Sequence, residues 1–386
     1  MDFELSEEHR QVADVIRDFG ETEIKPFATA WDRDEVFPME TVKKLGRLGF
    51  LGMSLPEDVG GGGADTLTNA LVVEGVTRYD AGFGLTVASH GGLAAGHINL
   101  FASDAIRKRY LPKLATGEWL GAWCLTEPGS GSDAGALRTR AARDGDHWVI
   151  DGAKMFITQG TVAQVYVVLA STASDKGTGG ISAFVVERST PGLSNGRKID
   201  KLGLRSSDTA EVVLENVRIP AENLIGETEQ GFKQALRILD GGRITIAAWC
   251  CGIARGALEE SIAYAKDRKT FGKAIAEHQA VQLMLADMAT RLDAARCLLF
   301  RACWLKDQGR PFGSEASMAK LVASETAMWA TTKAVQIHGG YGYMREFPVE
   351  RYMRDAKLGE IGEGTSEVQR IVIARALLRG GGVASL

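Results

Sequence analysis

Residues 336–370 read QIHGGYGYMREFPVERYMRDAKLGEIGEGTSEVQR. Glu363 stands between Gly362 and Gly364, directly ahead of Thr365 and Ser366. Gly339 and Gly340 close a helical run upstream. A carboxylate set in flexible backbone suits proton abstraction. Glycine has no Cβ, so backbone amides can come close to a substrate oxygen. The alternative for an isolated glutamate is a solvated surface charge. An apolar helix is expected directly after the loop, over Ser366–Leu378.

Working back from this loop, the pattern stays helical as far as Gly231. Ile238–Lys266, Gln279–Lys306 and Ser314–Ile337 each have helical length and spacing. In Gln279–Lys306, Val281, Met284, Leu285, Met288, Leu292, Ala295 and Leu299 fall on one stripe. Long helices with short links predict a four-helix bundle. From Gly121 to about Pro220 the pattern changes. His147–Ile150, Gln164–Ala170, Ile181–Glu187 and Thr209–Leu214 are short and β-branched or alternating, as in a small barrel or sandwich. They do not alternate with helices, so a doubly wound nucleotide fold is not supported. The first ~120 residues are helical again, with helices expected over Glu40–Leu48, Thr66–Tyr79 and Asp104–Leu114. The fold class expected is therefore α+β. An N-terminal helical domain (1–120) leads to a middle β-barrel or sandwich domain (121–230) and a C-terminal four-helix bundle (231–386).

Composition narrows the function classes. The 386 residues carry a net charge of −4, which disfavours nucleic acid as a partner. No apolar run reaches the roughly eighteen residues of a membrane span. The opening MDFELSEEHRQVADVIRDF is an acidic amphipathic helix pattern, with Phe3 and Leu5 leading into Val12, Val15, Ile16 and Phe19. It resembles neither a signal nor a transit peptide, so a cytoplasmic location is expected. The five cysteines form no C-x-x-C pair, and adjacent Cys250 and Cys251, in an apolar helical run, are expected to be small core residues in a reducing compartment; six scattered histidines suggest no metal site. Gly60–Gly63 lacks the context of a phosphate cradle and is expected to be a plain loop.

Four further segments could carry chemistry. Trp123–Asp133, WCLTEPGSGSD, is a turn dense in hydroxyls and free amides. Turn chemistry alone explains most of these residues, so a solvated Pro-Gly turn remains open. Lys154–Gly160, KMFITQG, places Phe156 either against a ring or in a strand core. Asp240-Gly-Gly-Arg243 heads the first bundle helix, where Asp240 would serve as an ordinary cap. In Arg268–Gly272 the arginine suits a pyrophosphate, while Lys269 is expected to be a solvated cation.

Together, and in order along the whole chain, these motifs resemble the flavin-dependent acyl-CoA dehydrogenases, and within them the short-chain members. The resemblance implies FAD as cofactor and an acyl-CoA as substrate. Electron-transfer flavoprotein would be the redox partner, and the assembly a homotetramer with FAD sites shared across a dimer interface. It makes Glu363 the catalytic base. It implies flavin contacts from Trp123, Leu125, Thr126, Gly131 and Ser132, and from Phe156 and Thr158. Arg268, Phe271 and Gln279 would reach FAD from a neighbouring subunit, together with Gln336, Gly339 and Gly340. Thr365 and Glu367 would add a further flavin contact. Ser132, Asp240, Arg243 and Gly364 would bind the substrate. Lys201–Asp208 is similar to a strand-pair motif with an architectural role. Some relatives carry the base just before the arginine of the D-x-x-R segment; here that position is Gly242. Phe156 and Gln159 stand where the family usually has Trp and Asn, and Gly362 replaces an aromatic residue. An oxidase, a silent flavoprotein and a hydrolase are the rival readings. The short chain, the retained Glu363 and the lack of a G-x-S-x-G elbow weigh against them in turn.

Overall fold

The structure, a computed structural model, describes residues 4–380, so Phe3 lies outside the described residues. Seven helices come first: α1 (Glu7–Phe19), α2 (Ala28–Asp34), α3 (Met39–Arg47), α4 (Thr66–Thr77), α5 (Ala81–Ser89), α6 (Gly96–Phe101) and α7 (Asp104–Ala115). Four of them open on a side-chain cap, from Ser6, Asp65, Asp80 and Ser103. Each cap satisfies one of the amides that a helix start leaves unpaired. On α1, Ile16 and Phe19 are buried as expected, whereas Val15 is exposed. A π-helical turn, His90–Ala95, joins α5 to α6.

The β region is one connected sheet of seven strands: β1 (Gly121–Cys124), β2 (Arg140–Asp144), β3 (His147–Thr158), β4 (Val165–Ser171), β5 (Ile181–Glu187), β6 (Leu193–Lys198) and β7 (Thr209–Pro220). The order is β1-β4-β2-β3-β7-β6, with β5 paired to β4. Both faces of β4 are buried, which explains the unbroken apolar run in its sequence. Val165, Val167 and Leu169 join a cluster with Ile98, Ile106 and Tyr110 of the N-terminal helices. Tyr166, Val168 and Ala170 share a second cluster with Trp148, Val212 and Ile219 of β3 and β7. The sheet therefore curls over its own core. Strands β3 and β7 run further than their alternation suggests. Register shifts between Ile150 and Gly152 and between Lys154 and Ile157 break that alternation.

The remaining helices are α8 (Gly231–Asp267), α9 (Gln279–Asp307), α10 (Gly313–His338), α11 (Val349–Ala356) and α12 (Ser366–Leu378). A small hairpin, β8 (Lys269–Thr270) and β9 (Lys273–Ala274), links α8 to α9. Helices α8, α9 and α10 pack on one another, α12 packs on α10, and α4 lies against α8 and α9. Buried alanines 316, 319, 323, 327 and 330 line α10 and allow close helix approach. The start of α8 at Gly231 corrects one expectation. Asp240 lies in the third turn of that helix and is not its cap. The apolar periodicity is weak over 231–237, so the earlier start was not visible.

Candidate active site

Glu363 occupies the turn between α11 and α12, with a left-handed φ of 52°; Gly364 follows at 91°. A non-glycine residue in this region is held there against a local cost. The loop is held by two buried side chains. Lys320 on α10 donates from Nζ to the Gly364 carbonyl at 2.7 Å. Gln369 on α12 donates from Nε2 to the carbonyls of Gly364 and Glu363, at 2.9 and 3.2 Å. Thr365 caps α12 by accepting the Val368 amide.

The Glu363 carboxylate is thereby aimed at α8. Its Oε2 is buried and has no hydrogen-bond partner among the described residues. Burial raises its pKa to about 7, against the opposing fields of Lys320 and Arg243. A β-carbon at Gly242 would lie 2.1 Å from Oε2 and 3.3 Å from Leu93 Cδ2. Leu93 comes from the π-helical turn, a local irregularity that often accompanies a site. The Glu363 amide finds no acceptor among the described residues. A proton acceptor near neutrality and a free amide donor thus share one residue.

Asp240 and Arg243 lie one turn apart on α8 beside Gly242. Arg243 Nη1 donates to Asp240 Oδ1 at 2.6 Å and reaches Ser317 Oγ at 3.4 Å. Arg243 is buried, and its Nε has no partner among the described residues. Burial raises the Asp240 pKa, with Arg243 opposing.

A second group forms where β1 meets β3. The Thr126 carbonyl accepts the Met155 amide at 2.8 Å, which stitches the 124–133 loop to the strand. Phe156, at the β3 bulge, has a φ of 59° and is 63% exposed. Its strand-core reading is therefore wrong: the bulge turns the ring outward. Thr158 pairs with Thr209 of β7 and is half-buried. Leu125 is buried, Trp123 is half-buried, and Gly131 and Ser132 are exposed.

The third group is at the far end of α8. Arg268 lies over the Tyr341 ring, 5.4 Å from its centroid, and no carboxylate pairs with it among the described residues. Tyr341 in turn contacts Phe347, which meets both Tyr264 and His338. This aromatic set joins the α8 end to the Gln336–Gly340 segment. Phe271 is 97% exposed, and Gln279, Gln336, Gly339 and Gly340 are exposed as well. Thr365 and Glu367 lie at the start of α12, the first half-buried and the second exposed.

Several residues that shape these groups were not anticipated. Glu127 and Lys154 form a buried ion pair at 2.7 Å. Glu127 also accepts the amides of Arg138 and Thr139. Burial raises the Glu127 pKa, but Lys154 and these donors bring it below the usual carboxylate value. Trp123 Nε1 donates to His97 Nδ1, and His97 Nε2 meets Gln234 Oε1 at 3.0 Å. Burial lowers the His97 pKa to about 4, so the ring is neutral and donates from Nε2. Lys320 had one visible signal, a lone cation among alanines 316, 319 and 323.

The chain resembles known proteins along its whole length. Residues 6–118, 122–217 and 229–378 match the acyl-CoA dehydrogenase N-terminal, middle and C-terminal domains respectively. A probable acyl-CoA dehydrogenase of Bacillus subtilis is 50% identical, over 98% of this chain and 100% of that one. A short-chain specific acyl-CoA dehydrogenase of Clostridium acetobutylicum is 46% identical, again over 98% and 100%. The solved structure of butyryl-CoA dehydrogenase from Megasphaera elsdenii superposes with a TM-score of 0.96 at 43% identity, covering 98% of this chain and 100% of that one. With the likeness running end to end through all three parts, this chain belongs to the acyl-CoA dehydrogenases, FAD-dependent oxidoreductases that dehydrogenate acyl-CoA thioesters.

Proposed function

We propose that the protein oxidises a short, straight-chain acyl-CoA to its trans-2-enoyl-CoA, with Glu363 as the base. The buried, unpartnered Oε2 facing Gly242 is the observation that carries this reading. An acid raised to about 7 is matched to proton transfer near neutral pH. Oε2 takes the α-proton, and the electrons of that C–H bond become the new double bond. The Glu363 amide donates to the thioester carbonyl and steadies the charge that develops there. Lys320 and Gln369 hold both groups in register through the Gly364 carbonyl. The bound acyl chain excludes water from the carboxylate. FAD, when bound, supplies the acceptor for the β-hydride.

The residues suit that cofactor. The exposed Phe156 ring, Thr126 and Thr158 would hold the flavin, with Trp123, Leu125, Gly131 and Ser132 around it. Arg268, free of any carboxylate among the described residues, suits a pyrophosphate. With Phe271, Gln279, Gln336, Gly339 and Gly340 it would reach the FAD of a neighbouring subunit in a homotetramer. Thr365 and Glu367 would complete the flavin contacts. Ser132, Asp240, Arg243 and Gly364 would hold the substrate. Electrons would pass to electron-transfer flavoprotein. Five free cysteines suit a reducing, cytoplasmic compartment.

A branched short chain is the second reading, and Gly362 favours it. A β-carbon there would make only ordinary contact with Leu358, no nearer than 3.5 Å. Space is left open beside the base, whereas at Gly242 the carboxylate fills it. The deciding experiment is anaerobic addition of butyryl-CoA to the purified yellow protein. Bleaching of the flavin band, slow reoxidation in air and rapid reoxidation by electron-transfer flavoprotein are expected. A protein that cannot take up FAD, or keeps its colour with every acyl-CoA, refutes the proposal.

A further inference from the structure

Phe156 and Gln159 both take left-handed backbone, at φ 59° and 65°, on either side of Thr158. Neither is glycine, so strained residues stand close together at the end of β3. Such geometry persists only where the surroundings impose it. Here the grip comes from Asp208. Its carbonyl accepts the Gln159 amide at 2.9 Å. Its carboxylate accepts the Thr161 amide and the Thr161 hydroxyl, both at 2.7 Å. Thr209, next in the chain, pairs with Thr158 across the ladder.

Asp208 closes the loop 199–208 between β6 and β7. Loops between strands usually run over the surface. Leu204, Ser206, Ser207 and Asp208 are instead buried, because the loop is seated on both helical regions. On α11, Asp355 Oδ1 accepts the Leu204 amide at 2.6 Å. On the N-terminal side, Asp80 Oδ1 accepts the Ser206 hydroxyl at 2.6 Å and also caps α5 through the Phe83 amide. Both acids are buried. Burial raises the pKa of each, and Arg351, itself buried, opposes the rise at both. The seating leaves no slack. A β-carbon at Gly203 would lie 2.5 Å from Asp355 Oδ1, and one at Gly82 would lie 2.1 Å from Ser206 Oγ.

We infer that Asp80 and Asp355 are positioning residues for the cofactor face of the sheet. By pinning the 203–208 segment they fix Asp208, and through Asp208 the strained turn from Phe156 to Gln159. This rests on the reading of Phe156 and Thr158 as flavin contacts. It adds that the direction of those contacts is set from outside the sheet, by one acid in each helical region. A reacting or cofactor-holding group keeps its geometry only when the residues behind it are themselves locked. Carboxylate acceptors suit that task, since hydrogen bonds to charged groups are shorter and stronger than neutral ones.

The test uses Ser206→Ala and Asp355→Ala, with Asp355→Asn as the conservative variant. Ser206→Ala frees the loop from Asp80 and leaves the α5 cap in place. Asp355→Asn keeps an oxygen for the Leu204 amide. The Kd for FAD should rise about tenfold in each alanine variant, as loss of one such hydrogen bond would give. The visible circular dichroism of the bound flavin should change in both. Hydrogen exchange across residues 157–163 should quicken, while α9 keeps the parental rate. Asp355→Asn should restore all three readouts. Exchange that quickens in α9 as much as at 157–163, with the flavin spectrum unaltered, means a general loss of stability and overturns the inference. Parental exchange at 157–163 overturns it as well, and so does parental FAD affinity beside quickened exchange. A parent protein that takes up no FAD refutes the proposed function instead. The exchange comparison then decides by itself whether the two acids hold the strand end.

Discussion

Glu363 Oε2 fills the volume that a β-carbon at Gly242 would need, with only 2.1 Å between them. The two positions lie 121 residues apart in the chain and compete for one place. A side chain at 242 must therefore displace the carboxylate at 363. Gly242→Ala should keep FAD and lower kcat on the order of 10²-fold, since small misplacement of a reacting group costs that much. Glu363→Gln should keep FAD and acyl-CoA binding and lower kcat about 10³-fold. Full turnover in the glutamine variant would remove Glu363 from the mechanism.

The pH profile follows from the raised Glu363 pKa. The base works only when ionised, so kcat/KM should rise with pH up to about 7 and then level. Stability runs the other way. The folded state keeps a proton that the unfolded chain releases near 4.5, so this contribution is greatest below that value and is lost as pH rises through about 7. Asp355, raised to about 7 by burial and by Asp80, acts in the same sense. Denaturant titrations near pH 5 and pH 8 should show a smaller fall for Glu363→Gln than for the parent. Identical falls would mean that Glu363 ionises as freely in the folded state as in the unfolded chain.

Lys154→Met tests the buried pair behind the 127–139 loop. It leaves Glu127 charged and almost wholly buried, which typically costs about 3–5 kcal/mol. Chemical denaturation should register that loss, with faster hydrogen exchange at the Arg138 and Thr139 amides. A loss within ~1 kcal/mol would mean that the backbone donors alone satisfy Glu127.

Arg268→Ala should lower FAD occupancy and weaken subunit association together. A cofactor bridging two subunits links the two equilibria by mass action. Flavin absorbance and sedimentation across a dilution series measure both. Occupancy that stays constant while the assembly dissociates would argue that each subunit binds FAD alone.

The acyl group is tested by kcat/KM across butyryl-, hexanoyl-, octanoyl-, isobutyryl- and 2-methylbutyryl-CoA. Each methylene that finds an apolar fit is worth about 0.8 kcal/mol. A short-chain pocket should peak near butyryl-CoA and fall steeply by octanoyl-CoA. Filling the open space with Gly362→Tyr should depress the branched substrates most. A maximum at octanoyl-CoA or beyond would overturn the short-chain proposal.

The order of elements was legible along the chain, and so were the turn motifs that the candidate site draws on. Apolar stripes at helical period, as on α9, do not depend on what packs against them, so they are legible in one dimension. Motifs such as LTEP and GEGTS are equally legible, because turn chemistry is local. Which of these residues meet is set by how the helices and the sheet pack. The Glu363 contact with Gly242, the Lys320 bond to Gly364 and the Glu127–Lys154 pair join segments far apart in the chain. No periodicity encodes such contacts. The β3 bulge likewise turned Phe156 from a strand core to the surface. A bulge shifts every later side chain by one position, and alternation read along the chain cannot register that shift. The neutral-range pKa of Glu363 is a tertiary property for the same reason. It arises from desolvation between α8 and α10, and burial exists only once those helices have packed.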